Sequence, residues 1–150
     1  MKNYINTLYN NNKSIINKYK WPRKSQLCSY YKDRNITLYY IKISLPKEYL
    51  ISKGKMPENN LILYKLGLTE KSTNERINSL NFPLFARINI IGEIKLSGLK
   101  GILIEKFIHY NNVNNRIGFT LVKSGNSEIY YKDILKLDND QREQTAPTLI

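Results

Sequence analysis

Apolar residues recur over the first twenty positions at spacings of three, four and seven: Tyr4, Ile5, Leu8, Tyr9, Ile15, Ile16 and Tyr19. That period puts them on one face of a helix over residues 3 to 20, despite three weakly helix-forming asparagines at 10 to 12. Trp21 and Pro22 end it. From Thr37 the period changes: TLYYIKISL at 37–45 and LILYKLGL at 61–68 are dense in β-branched and aromatic residues and predict two strands. The stretch between them, PKEYLISKGKMPENN, is too long for a tight hairpin loop and reads as an elaborated connection of neighbouring strands.

Ser72 stands three residues before Glu75, the spacing of a capping box, so a helix is predicted from about Thr73 to Leu80 with Ile77 and Leu80 facing the core. Pro83 bars its continuation. ARINIIGEIKLS at 86–97 restores strand character, with Gly92 marking a bulge. Gly98 opens a second helix, LKGILIEKFIHYN, whose Leu99, Ile102, Leu103, Ile104, Phe107 and Ile108 predict a broad buried face. Glu105 and His109, four apart, share an edge of it. Beyond it, RIGFTLV at 116–122 predicts a short strand, KSGNS a loop, EIYYKDILKL a final helix and QREQTAPTLI a loose tail.

The chain has 150 residues, enough for one domain with a core and too few for two comfortable ones. A formal net charge of +12 exceeds what solubility needs and points to a polyanionic partner, nucleic acid first and an anionic membrane surface second. Heavy use of Lys, Asn, Ile and Tyr would also follow from an A+T-rich genome, so charge alone does not name the partner. Cys28 is the sole cysteine, which excludes an intrachain disulfide and a thiolate zinc site and fits a reducing compartment. No apolar run nears the roughly 18 residues of a membrane span, and the start lacks the apolar block of a signal peptide. A soluble intracellular protein, cytoplasmic or nucleoid-associated and without a membrane partner, is expected. Arg23, Lys24, Lys32 and Arg34, interleaved with Trp21, Tyr30 and Tyr31, are a mixture suited to tracking a phosphate backbone or stacking on bases. An N-terminal helix and linker packed on the core is the equal alternative. Lys71 is a further candidate contact to nucleic acid.

The order of elements is a strand with tyrosines, a strand ending in a glycine, a helix with an arginine, a third strand, and a helix with an embedded glutamate. LYYIK at 38–42, KLGLT at 65–69, NERINSLN at 74–81, GILIEKFIH at 101–109, and Arg116 with SGNSEIYY at 124–131 resemble, in that order, the motifs of the GIY-YIG nuclease superfamily, in particular its phage and mobile-element branch with a KIG-type second motif. The resemblance covers about residues 37 to 135. It implies an α+β fold with a small, mainly antiparallel three-stranded sheet flanked by helices. A basic helical arm over 1–36 would precede the nuclease-like domain at 37–136, with a flexible tail at 137–150. It aligns Tyr39 with the first-motif tyrosine, Tyr40 remaining an alternative register. Gly67, Arg76 and Glu105 match directly, His109 occupies a place where the branch often has histidine, and Glu128 matches a closing acidic position of structural role. The first-motif glycine is replaced by Thr37 and the second-motif tyrosine by Lys65.

These residue types suit phosphodiester hydrolysis, which needs an activated water, neutralised charge on phosphorus and help for the leaving alkoxide. Glu105 can hold Mg²⁺ (or Mn²⁺) with water and substrate oxygens completing the shell. Arg76 offers a fork of fixed donors to a phosphate. Tyr39 becomes a base only when a cation stabilises its phenolate, and Lys65 is the candidate cation. The expected activity is metal-dependent DNA endonuclease. The alternatives are an inactive DNA- or RNA-binding module of the same fold, a small ribosome-associated RNA binder, and a partner-binding structural protein. Target sequence, nicking against double-strand cleavage, and oligomeric state are not legible.

Overall fold

The computed structural model describes residues 1–18, 24–52, 54 and 58–139, the side chains of residues 24, 25, 27 and 28 excepted. Tyr19, Trp21 and Arg23 therefore lie outside the described residues, as does the tail from residue 140.

The two tyrosine-rich segments form β1 (Asn35–Leu45) and β2 (Leu61–Thr69), paired antiparallel with Tyr39 opposite Gly67 and Ile41 opposite Lys65. The region before them forms α1 (Lys2–Lys18) and α2 (Lys24–Tyr31), and the connection between the two strands carries the short α3 (Lys47–Ser52). In α4 (Thr73–Ser79), Ser72 is the N-cap and its Oγ accepts from the Glu75 N–H at 3.2 Å, satisfying one of the helix's orphan donors. β3 (Arg87–Ser97) pairs with the other edge of β1, and the register slips between Tyr40 and Ile41. Gly92 and Ile90 face these neighbours, leaving Ile91 as the extra residue of a bulge. α5 (Gly98–Asn111) follows directly.

Strand alternation sorts the core into two layers. Tyr39, Ile41, Ile43 and Leu45 lie with Leu61, Leu63, Leu80, Leu121, Val122 and Ile129, and Ile77 packs against them. Leu38, Tyr40, Tyr64 and Leu66 lie with Ile94, Leu96, Ile104, Ile108 and Ile5. Ile5 and Ile16 are fully buried, so α1 is part of the core and not only a basic arm. Leu99 does not join the buried face of α5; it is 37% exposed.

The sheet has four strands, in the order β3-β1-β2-β4, not three. The added β4 (Ile129–Tyr130) falls where the sequence predicts a helix, and 116–122 forms no strand. The reason is side-chain capture of backbone. Asn126 Oδ1 accepts from the N–H groups of Leu121 and Val122 at 2.7 and 2.9 Å, and its amide donates to the Val122 carbonyl at 2.8 Å. Those groups are then unavailable to a ladder. Asp133 likewise accepts from the N–H groups of Leu137 and Asp138, folding 133–138 as a turn. The turn is tied to the sheet by Tyr40 Oη donating to Asp133 and Tyr64 Oη to Asp138, each at 2.6 Å.

Because Ile5 is sealed in the second layer, Ile5→Ala should lower unfolding free energy by about 2–5 kcal/mol in urea denaturation. A loss under about 1 kcal/mol would show that α1 does not belong to the cooperative core.

Candidate functional site

Tyr39 lies on β1 with its ring across Gly67, the residue opposite. A Cβ at Gly67 would collide with the Tyr39 ring and hydroxyl, so the glycine at this position seats the tyrosine. The residue is 1% exposed, and Arg76 on α4 is the cation that acts on its hydroxyl. Burial pushes the phenol up to about 12, with Glu128 and Glu105 acting in the same sense and Arg76 against them by charge and hydrogen bond. The cation on Tyr39 is therefore Arg76. Lys65, expected in that role, points elsewhere. Arg76 Nη1 also lies 3.5 Å from Ser79 Oγ, and its Nε is buried without a hydrogen-bond partner.

Lys65 shares Tyr39's face of the sheet by strand parity and is wholly sealed from solvent. Its Nζ donates to Glu128 Oε2 at 3.0 Å and to the Gly125 carbonyl at 2.9 Å. Gly125 has φ 76°, the left-handed region that favours glycine, and a Cβ there would sit 2.7 Å from Lys65 Nζ.

Glu128 joins this pair to α5. Glu105 and His109 sit one turn apart, with His109 Nε2 3.9 Å from Glu105 Oε2. Their side chains are 13% and 17% exposed, so the carboxylate is not closed inside the core. His109 Nδ1 is hydrogen-bonded to Tyr130 Oη on β4, and the rings stack with centroids 5.6 Å apart. Its Nε2 is buried with no hydrogen-bond partner. One ligand atom from each of Glu105, His109 and Glu128 lies within 4.8 Å of the others, a set able to share one divalent cation. The orphaned imidazole nitrogen and two carboxylates fit such an ion. The sequence assigns Glu128 only a structural role and Tyr130 none; their one signal is the EIYY segment in the closing motif.

Of the candidate contacts to nucleic acid, Arg34 and Glu70 pair at 3.0 Å, which brings the turn after α2 beside the one after β2. Lys32, Arg34 and Lys71 are exposed along these two turns. The Arg34 guanidinium also lies 4.4 Å from the centre of the Tyr30 ring, a surface cation–π contact. Tyr31 is raised by burial first and then by Glu70, Tyr30 and Glu105. Arg23 and the side chain of Lys24 lie outside the described residues.

No family model, curated protein or solved structure matches this chain significantly. No helix among the described residues is long and apolar enough to cross a membrane.

Burial holds the Glu105 carboxyl well above the usual carboxylate range; Glu128 adds to this, and Lys65 and Lys106 offset part of it. The stability that a raised carboxyl contributes is whole below its unfolded value of 4.5 and is lost as pH climbs through its folded value. Burial lowers His109 to about 4, opposed by Glu128, so its own contribution is lost as pH falls below 6.5. Comparing Glu105→Gln with wild type cancels that histidine effect to first order. Metal-free Glu105→Gln should melt above wild type, by a margin that widens as pH rises above 4.5. A margin that stays flat in thermal melts as pH rises would contradict the assignment.

Proposed function

We propose that this protein is a metal-dependent endonuclease of the GIY-YIG type that hydrolyses DNA phosphodiester bonds. The observation that carries the reading is the Glu105–His109–Glu128 group, one ligand atom of each within 4.8 Å of the others. Exposed positive side chains at Lys32, Arg34 and Lys71 are the candidate contacts to the DNA backbone.

Arg76 is the proposed phosphate clamp. Its guanidinium offers a planar fork of fixed donors to phosphate oxygens, and Nη1 lies 3.5 Å from Ser79 Oγ. Glu105 is the principal metal ligand. A bound Mg²⁺ or Mn²⁺ supplies Lewis acidity at phosphorus and a more acidic water. Tyr39 is the proton acceptor in this scheme and fixes Arg76 in the resting protein. A phenol at about 12 is protonated at neutral pH, so activity should rise with pH through the alkaline range as the phenolate becomes accessible. Lys65 holds Glu128 in place beside Glu105 and His109.

A DNA- or RNA-binding module of the same fold without cleavage is the second reading. The near-complete burial of Tyr39 favours it, since a sealed hydroxyl does not meet water without movement.

Purified protein should nick or cut plasmid DNA with Mg²⁺ and not with EDTA. Arg76→Ala and Glu105→Gln should each lower the rate by at least about 10²-fold, the scale for loss of one charge-stabilising group. Full activity in either variant would refute the site assignment. Salt-dependent DNA binding with no cleavage under either ion would select the second reading.

A further inference from the structure

We propose that Glu105, His109 and Glu128 form a single three-ligand site selective for a divalent ion that accepts imidazole, Mn²⁺ over Mg²⁺. This deepens the nuclease reading by naming the ion, and rests on that reading only for the ion's use. Its binding is measured without DNA.

A carboxylate alone does not separate these ions well. Mg²⁺ takes hard oxygen ligands, demands near-ideal octahedral geometry and holds its waters, whereas first-row transition ions take imidazole more readily. The structure supplies an imidazole where the sequence reading needed only Glu105. His109 lies one helical turn from Glu105, and its Nε2 is excluded from solvent and lacks a hydrogen-bond partner. A buried polar atom left unmatched is costly, and coordination of a cation satisfies it.

The other ring nitrogen is already held. Tyr130 Oη lies on His109 Nδ1, and the stacked ring limits rotation of the imidazole. With Nδ1 carrying the proton and donating to Tyr130, the Nε2 lone pair is free for a metal, the arrangement in which a neighbouring group fixes tautomer and direction. Tyr130 is thus a positioning residue.

Glu128 comes from a different element, the turn before β4. Its Oε2 is engaged by Lys65 Nζ, and a carboxylate has a second oxygen to offer an ion. The ligands arrive from α5 and from the turn before β4, so the site closes only when the 125–130 segment is docked on β2. Lys65 secures that docking through Glu128 and the Gly125 carbonyl.

The test uses the full chain, stripped with EDTA, and Mn²⁺ alone as the probe, with Mg²⁺ as competitor. Titration followed by Mn²⁺ electron paramagnetic resonance should give one ion per chain, bound at least about tenfold more tightly than Mg²⁺. Pulsed measurements should show modulation from a directly bound ¹⁴N. His109→Ala should abolish the nitrogen signal and most of the Mn²⁺ preference, and Glu128→Gln should weaken Mn²⁺ at least about tenfold. Tyr130→Phe, which keeps the ring and removes the hydroxyl, should weaken Mn²⁺ by about 10-fold while leaving Mg²⁺ affinity within twofold. Should a buried variant fail to fold, the wild-type nitrogen signal and the Tyr130→Phe comparison decide. Equal affinity for the two ions in the wild type, or Mn²⁺ bound without nitrogen modulation, would overturn the proposal. Loss of DNA cleavage with the nitrogen signal intact would count against the nuclease reading and leave the metal site standing.

Discussion

A lysine with no solvent exposure sits in the second strand, and the fold around the candidate site is arranged to satisfy it. Lys65 Nζ has two acceptors among the described residues, Glu128 and the Gly125 carbonyl, both from one turn. Lys65 is sealed while Glu128 is 30% exposed, so losing Glu128 would leave the lysine charge in a poorly polarisable interior. The turn must therefore stay on the sheet. Gly125 accepts a left-handed conformation to aim its carbonyl, and Asn126 fixes the backbone on its far side. The two residues of β4 then pair with Tyr64 and Lys65.

Holding that turn has a chemical consequence. Glu128 is fixed beside Glu105 and His109, and Tyr130 reaches the histidine ring. On the neighbouring strand, Tyr39 lies flat over Gly67 and meets Arg76 from the capped helix. The result is a layered distribution of charge: one arginine against a phenol, one lysine against a glutamate, and a second glutamate whose nearest ion-pair partner among the described residues is His109, at 3.9 Å. Burial and the repulsion of Glu128 both disfavour that second charge, and Lys65 and Lys106 relieve it only in part. A divalent cation would stabilise such a group, in keeping with the sacrifice of stability that functional sites often show.

Much of the framework was legible because its determinants are local. The Ser72–Glu75 spacing marks the start of α4, the density of β-branched and aromatic residues at 37–45 and 61–68 marks the two central strands, and Gly92 marks the bulge. The failures are also instructive. The 116–137 region departs from its sequence pattern because Asn126 and Asp133 capture backbone N–H groups with their side chains, which no period in the sequence reveals. Leu99 fits the apolar pattern of α5, yet it sits in the helix's first turn, where it remains exposed. For the site, strand parity placed Lys65 on Tyr39's face but said nothing of how far its long side chain would swing, and it reaches Glu128 instead. Glu128 and Tyr130 gained their positions from contacts with Lys65 and His109, distant in sequence. The basic N-terminal segment presented both charge and an apolar stripe, and the buried Ile5 and Ile16 show the stripe packed on the core.

The proposed function requires that Glu105 hold a metal ion against a phosphate gripped by Arg76. Crystals of the protein with a short DNA duplex and Mn²⁺, measured at the manganese absorption edge, address it in one experiment. One anomalous peak is expected roughly 2.0–2.6 Å from a Glu105 oxygen, the range for hard divalent ions on oxygen, with a backbone phosphate on the Arg76 guanidinium. Manganese bound away from Glu105, or DNA seated with no phosphate near Arg76, would contradict it.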